Sequence, residues 1–280
     1  MDVNFFRWRE LLYPGEATDF FKVWDFAFDP EDASYNVNNA RFLAELSRLV
    51  YRHDIEENNP PPLPTRKSFL SLANLKEEGF YQSKETDTQA MLVVSLNSPQ
   101  FAVLVFRGTE KNSGDIETDL KLYKNWVNQI LKTALSLSNG DPQHVHQGFL
   151  EAIDSIWKEL EPDLEKLRCP IFYTGHSLGA ALATLAAERL PPKALYTFGS
   201  PRVGNTIYSE SLCFKGIPIY RVVNDLDIVA TLPPEGLGYR HVGGLHQTNN
   251  RSVITSSIIK LLLPAKSLYD HAPINYVNRI

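Results

Sequence analysis

Residues 174–187 read TGHSLGAALATLAA and place one serine, Ser177, between Gly175 and Gly179 in the pattern G-x-S-x-G. A serine hydroxyl is a weak nucleophile until an imidazole takes its proton, and the imidazole works best when a buried carboxylate fixes its tautomer. The pattern has few fixed positions and arises by chance in unrelated chains, so its surroundings decide its meaning. CPIFYT (169–174) reads as a short buried strand, and LGAALATLAAERL (178–190) as a helix rich in small residues. Ser177 therefore falls in a strand-to-helix turn, which is the context of a nucleophile elbow. Gly175 and Gly179 give that turn the lack of bulk it needs. Ala180, Ala181 and Ala183 let the helix approach a sheet, and its N-terminus favours developing negative charge.

In this architecture the partners follow in the order serine, acid, histidine. The stretch YRVVNDLDIVATLPP (220–234) offers Asp225 and Asp227 directly after a strand, and His241, His246 and His271 come later. Acyl transfer also needs two N–H donors for the oxyanion. The first is the N–H of Leu178, and the second comes from the loop after the strand FAVLVF (101–106). His144 and His146 alternate, as two metal ligands would on one strand face. No Cys, Asp or Glu at matching spacing accompanies them, so a structural role is expected.

The elements that must position these residues alternate strand and helix. AMLVVSL (90–96) and FAVLVF read as adjacent strands joined by a tight turn. Phe149, Ile153, Ile156, Trp157, Leu160 and Leu164 mark a long amphipathic helix, and ALYTF (194–198) and IPIYRVV (217–223) are further buried strands. Phe42, Leu43, Leu46, Leu49 and Val50 mark a helix with one apolar face, which covers the body. The proline-rich NNPPPLPT (58–65) reads as a surface connection, because the residues before it hold too little apolar pattern for a second core. One domain over residues 1–280 is expected.

The bulk properties exclude several classes. A formal charge of −5 with no block of Lys or Arg leaves no footprint for nucleic acid. No apolar run approaches the roughly 20 residues that span a bilayer. The two cysteines, Cys169 and Cys213, are too few for a disulfide framework and are expected to be buried thiols. The first residues, MDVNFFRWRELLYPGE, lack the apolar run of a signal peptide. A cytoplasmic address is therefore expected, or a secreted one if a leader has been removed.

Five blocks, in order, resemble the class 3 (fungal-type) lipases of the α/β-hydrolase superfamily. FRGTE (106–110) is similar to that family's oxyanion segment, VHQGF (145–149) to its H-x-G-F block, and TGHSLGAALATLAA to its elbow. YTFGSPRVGN (196–205) resembles the strand and loop that follow, and NDLDIVATLPP (224–234) the acidic block D-x-V-P-x-L-P-P, with Ala230 in place of its proline. The resemblance implies an α/β-hydrolase fold, with a mostly parallel central sheet, helices on both faces and a lid-like insertion within 110–143. There, Trp126, Val127, Ile130, Leu131 and Ala134 stand at helical spacing. It implies Ser177 as nucleophile, Asp227 rather than Asp225 as acid, and Thr109 as the second oxyanion donor beside Leu178. His271, in YDHAPINYV, becomes the base, although Tyr276 lies five positions after it where the family often has three. The activity implied is hydrolysis of carboxylic esters of lipids, as a triacylglycerol lipase or carboxylesterase, through an acyl-enzyme on Ser177. The substrate would be met in solution or at an oil–water or membrane interface, and no metal or organic cofactor is implied. A phospholipase or acyltransferase with the same three residues, and a non-catalytic lipid-binding protein, are the alternatives.

Overall fold

The computed structural model describes residues 11–21, 27–54, 63–109, 125, 128–134, 144–224, 226–248 and 268–280. Strands β1 (Leu75–Ser83), β2 (Thr88–Ser95), β3 (Ala102–Phe106), β4 (Ile171–His176), β5 (Ala194–Phe198), β7 (Ile219–Val223) and β9 (Gly244–Gln247) form one sheet in the order β1-β2-β3-β4-β5-β7-β9. The first two pairings are antiparallel, and the four from β3 to β9 are parallel. Two short strands, β6 (Gly204–Asn205) and β8 (Tyr239–Arg240), pair apart from it.

Strand side chains alternate between two faces, and each face has its own core. Ala102, Leu104 and Phe106 of β3 join the cluster built on α3 (Gln147–Lys166) and α4 (Leu178–Arg189). Val103 and Val105 join the cluster of α1 (Val37–Leu49) and α6 (Pro273–Arg279) on the other side. The parallel strands β3, β4 and β5 are covered on both faces, which is why they read as unbroken apolar runs. Two further helices are α2 (Arg66–Leu72) and α5 (Thr206–Phe214).

The sheet begins one strand earlier than its apolar runs suggest. β1, LKEEGFYQS, is an edge strand with a bulge between Glu77 and Gly79, and only Leu75 and Tyr81 are fully buried on it. An edge strand does not need a continuous apolar pattern, so its charges conceal it. Helix α1 is also buried more widely than a cover helix should be. Glu45 and Arg48 are enclosed along with its apolar stripe, because residues 11–21 lie over its outer side, whereas Ser47 faces β4, its hydroxyl 3.0 Å from that of Thr174. Arg48 pairs with Asp19, and Arg52 donates to the carbonyls of Gly15 and Ala17 at 2.6 and 3.0 Å.

The cysteines depart from expectation: Cys169 is half-buried and Cys213 exposed, since Cys213 sits in the last turn of α5 away from the sheet. Among the described residues no helix is long and apolar enough to cross a membrane. Of the helical pattern expected between 110 and 143, residues 128–134 are helical, with Ile130 and Ala134 buried against the body. Trp126 and Val127 lie outside the described residues, as do Asp225 and most of the proline-rich connection.

Helix α4 owes its position to two glycines. A Cβ on Gly179 would lie 2.2 Å from the Phe106 carbonyl oxygen, and one on Gly175 would lie 2.4 Å from the Gly179 backbone. Backbone cannot yield as a flexible side chain can, so Gly179→Ala is expected to cost about 3 kcal/mol or more. Gly236→Ala, where a Cβ meets nothing within 4 Å, should stay within about 1 kcal/mol of the parent. Urea unfolding of the two variants checks this, and equal stabilities would refute the tight fit.

Candidate active site

Ser177 occupies the junction between β4 and α4 with φ 60° and ψ −128°. A side chain other than glycine pays about 1–3 kcal/mol for such a conformation and keeps it only when its surroundings enforce it. Here they do. The Ser177 N–H donates to the Phe198 carbonyl at 3.0 Å, the Ser177 carbonyl accepts from the Ala180 N–H at 3.0 Å, and the two flanking glycines close the turn. The hydroxyl is buried, and among the described residues it has no hydrogen-bond partner. A buried unmet polar group costs about 1–3 kcal/mol, so strain and desolvation are both concentrated on one side chain.

Asp227 follows β7 in a turn closed by its own N–H to the Asn224 carbonyl at 2.9 Å. Fully buried, its carboxylate is held by three donors. Oδ1 accepts from the Val229 N–H at 2.8 Å, and Oδ2 accepts from His271 Nδ1 at 2.7 Å and from the Tyr276 hydroxyl. A carboxylate only accepts, so Nδ1 of His271 carries the proton and Nε2 keeps its lone pair. The two loops are tied together: Asn224 donates from Nδ2 to the Asp270 carbonyl at 2.6 Å, and Arg279 reaches Asn224 Oδ1 at 2.8 Å and Asp270 Oδ1 at 3.3 Å. Gly199, at φ 59°, lies against the pair. A Cβ there would fall 2.6 Å from Asp227 Oδ2 and 2.9 Å from His271 Nδ1.

His176, the residue before the serine, packs behind His271. Its Nε2 faces the His271 carbonyl at 2.7 Å and so donates, which leaves Nδ1 to accept from the Tyr51 hydroxyl at 3.2 Å. The two imidazoles lie 4.4 Å apart. Burial first, and the neighbouring His271 second, hold the His176 pKa well below the usual histidine value, so this ring is a neutral strut. Tyr51 presses on the loop after β3 as well: a Cβ on Gly108 would lie 2.0 Å from its hydroxyl and 3.2 Å from the Ser177 Cβ.

Thr109 and Leu178 both line a cleft of about 450 Å³, together with the helical residues Gln129, Ile130 and Thr133 and the start of α3. The buried Thr109 hydroxyl oxygen has no hydrogen-bond partner among the described residues. Beside it, Arg107 is committed elsewhere, to Asp87 at 2.6 Å.

Two other histidines are occupied. His241 Nε2 donates to the Ala230 carbonyl at 2.8 Å, and burial together with Arg221 and Arg202 drives its pKa down to about 3. His246 stacks on Tyr35 with ring centroids 3.6 Å apart. His144 and His146 flank Val145, whose bridge to Gly204 stands isolated among the described residues, so the two lie beside a single bridge and not along a described strand. Sequence reasoning missed the parts played by Tyr51, Asn224 and Gly199, and it noted Tyr276 only for its spacing.

The sheet order, the strained serine after β4, and the acid after β7 paired with a histidine beyond β9 define an α/β hydrolase. Residues 103–237 match the family model described as Lipase (class 3). A lipase of Rhizomucor miehei is 30% identical over 209 residues, covering 66% of this chain and 54% of that protein. The secreted mono- and diacylglycerol lipase A of Penicillium cyclopium is 32% identical over 192 residues, 64% of this chain and 59% of its own. A solved triacylglycerol lipase whose catalytic centre is described as a serine protease triad superposes with a TM-score of 0.54 at 26% identity, over 72% of this chain and 82% of that one. Across its central part the chain is thus similar to the class 3 lipases. It spans about half the length of the first relatives it matches. The expected cytoplasmic address draws no support from these relatives, since the Penicillium protein is named as secreted.

Proposed function

We propose that the protein is a serine hydrolase that cleaves carboxylic esters of lipids. Ser177, His271 and Asp227 act as nucleophile, base and orienting acid, and Thr109 and Leu178 supply the oxyanion donors. The observation that carries this reading is the strained, buried Ser177 hydroxyl with no partner, next in sequence to a histidine whose ring packs on the base of an Asp227–His271 pair. A fold that only bound lipid would gain stability by satisfying or removing that hydroxyl.

Ser177 Oγ attacks the ester carbonyl while its proton passes to His271 Nε2, and Asp227 stabilises the imidazolium that results. The oxygen of the tetrahedral intermediate takes its negative charge between the N–H groups of Thr109 and Leu178, with the Thr109 hydroxyl as a further donor. Collapse breaks the bond to the alcohol, which leaves with the proton from His271. Water, activated by the same imidazole, then releases the carboxylic acid and restores the serine. No step calls for a metal or organic cofactor.

The described elements all bear on one sheet and its two faces, which supports a single domain. Residues 128–134 beside the cleft support a cover over the acyl site that responds to a lipid surface, and the named relatives favour a secreted setting. Hydrolysis of glyceryl esters of increasing chain length, below and above their solubility limit, is the test. A rate that rises with chain length or at the interface supports the lipase reading, and hydrolysis of no ester at all defeats it.

His241→Ala checks the choice of base. It removes one buried hydrogen bond and is expected to cost about 1 kcal/mol of stability while keeping kcat within several-fold. His271→Ala should abolish turnover in the same assay, and the opposite pattern would move the base to His241.

A further inference from the structure

His176 has no part in the chemical steps, yet both of its ring nitrogens are committed. It is 2% exposed. Its Nε2–H goes to the His271 carbonyl at 2.7 Å, and its Nδ1 accepts from the Tyr51 hydroxyl at 3.2 Å. An apolar side chain could fill the same place, and it would leave a buried carbonyl without that donor. The polar side chain is therefore explained by the carbonyl it meets, and that carbonyl belongs to the base.

His271 lies in a turn directly ahead of α6. Asn275, four residues on, gives its N–H to Ala272 at 3.0 Å rather than to His271, so the helix does not anchor the base through that bond. The imidazole is fixed at Nδ1 by Asp227 at 2.7 Å. A ring held at one nitrogen can still pivot about that bond, and a second fixed point on its own main chain sets where Nε2 is aimed. The support also reaches the loop after β3. A Cβ on Gly108 would lie 2.0 Å from the Tyr51 hydroxyl and 2.7 Å from the His176 carbonyl oxygen, so this loop rests on both residues. Tyr51 is 3% exposed and packs with α1, on the face of the sheet opposite α4.

We propose that His176 and Tyr51 are positioning residues: through the His271 carbonyl they keep Nε2 of the base aimed at Ser177, and they hold the base in register with the loop after β3. This rests on the hydrolase reading above and adds two residues to its site.

The test separates positioning from support of the fold. Turnover is measured per reactive serine, counted by labelling Ser177 to completion with a phosphonate ester, so that unfolded molecules drop out. His176→Leu keeps bulk and removes the donor. Its kcat per labelled serine is expected to fall about 10²-fold with KM within about 2-fold, since a base displaced by about 1 Å takes the proton poorly while substrate binding is unchanged. His176→Gln, whose amide restores a donor, should be at least about 5-fold faster than the leucine variant. Tyr51→Phe removes one hydroxyl and should cost about 10-fold in kcat at unchanged KM. An unchanged kcat per labelled serine in His176→Leu, or a glutamine variant no faster than the leucine one, overturns the proposal. Should both His176 variants fail to fold, Tyr51→Phe decides: a kcat within about 2-fold of the parent overturns it. The proton on His271 Nδ1 gives a reading without turnover. Its exchange with water, followed by NMR, is expected to quicken about 10-fold in His176→Leu and to slow again in His176→Gln, and equal rates in parent and leucine variant would remove the positioning role. A protein that cleaved no ester would defeat the hydrolase reading, and this proton would still judge His176.

Discussion

Ser177→Ala is expected to lower kcat for ester hydrolysis by about 10⁴- to 10⁶-fold and to abolish covalent labelling by a phosphonate ester, without weakening the fold. The two halves of this prediction come from the same geometry. At φ 60° and ψ −128° the residue pays about 1–3 kcal/mol, and its buried hydroxyl has no partner among the described residues. Alanine removes the unmet hydroxyl and keeps the strain, so stability should hold or rise by up to about 1 kcal/mol. Ser177→Gly removes both and should be the more stable of the two, while being equally inactive. Urea unfolding beside initial rates and intact-protein mass spectrometry makes the comparison. A serine with only a packing role would give the reverse pattern, with retained turnover and no gain in the glycine variant. Stabilised and inactive together is the signature of a residue held in place against the preference of the fold.

The elbow was legible because its chemistry and its steric requirements lie within a few consecutive residues. Gly175, Ser177 and Gly179 and the alanines after them state the strand-to-helix turn directly, and the parallel strands β3, β4 and β5 declare themselves by being buried on both faces. What the sequence did not disclose is non-local. The Tyr276 hydroxyl reaches Asp227 across 49 residues, His176 meets the His271 carbonyl across 95, and Tyr51 meets His176 across 125. No spacing rule encodes such pairs, since they arise only once α1 and α6 pack on one face of the sheet. The departure at Tyr276 illustrates the point: two extra residues after His271 change the local pattern, yet α6 still brings the hydroxyl to the carboxylate. Edge strand β1 escaped for a different reason. With one side unpaired and a bulge in its middle, it has no need of the apolar alternation by which strands are read.

Asp227→Asn is expected to lower kcat by about 10⁴-fold with little change in KM, and the cause is the tautomer of His271 rather than loss of charge alone. In the parent, Oδ2 accepts from both His271 Nδ1 and the Tyr276 hydroxyl, and Oδ1 accepts from the Val229 N–H. An asparagine can keep only one oxygen. If the oxygen stays toward Val229, its NH₂ group faces His271 and forces Nδ1 to accept, so that the proton moves to Nε2 and the base can no longer take the serine proton. If the amide turns over, the Val229 N–H loses its acceptor in a fully buried turn, which costs about 1–3 kcal/mol. The first arrangement is the cheaper one, so the variant should fold and be nearly inactive. Tyr276→Phe separates orientation from charge. It removes one donor to Oδ2 and leaves the tautomer intact, so its loss in kcat should be about 10-fold, far short of the asparagine variant. Imidazole ¹⁵N chemical shifts report which nitrogen carries the proton in each case. An asparagine variant with Nδ1 still protonated and kcat still depressed about 10⁴-fold would show that Asp227 acts through its charge, and the tautomer account would fall.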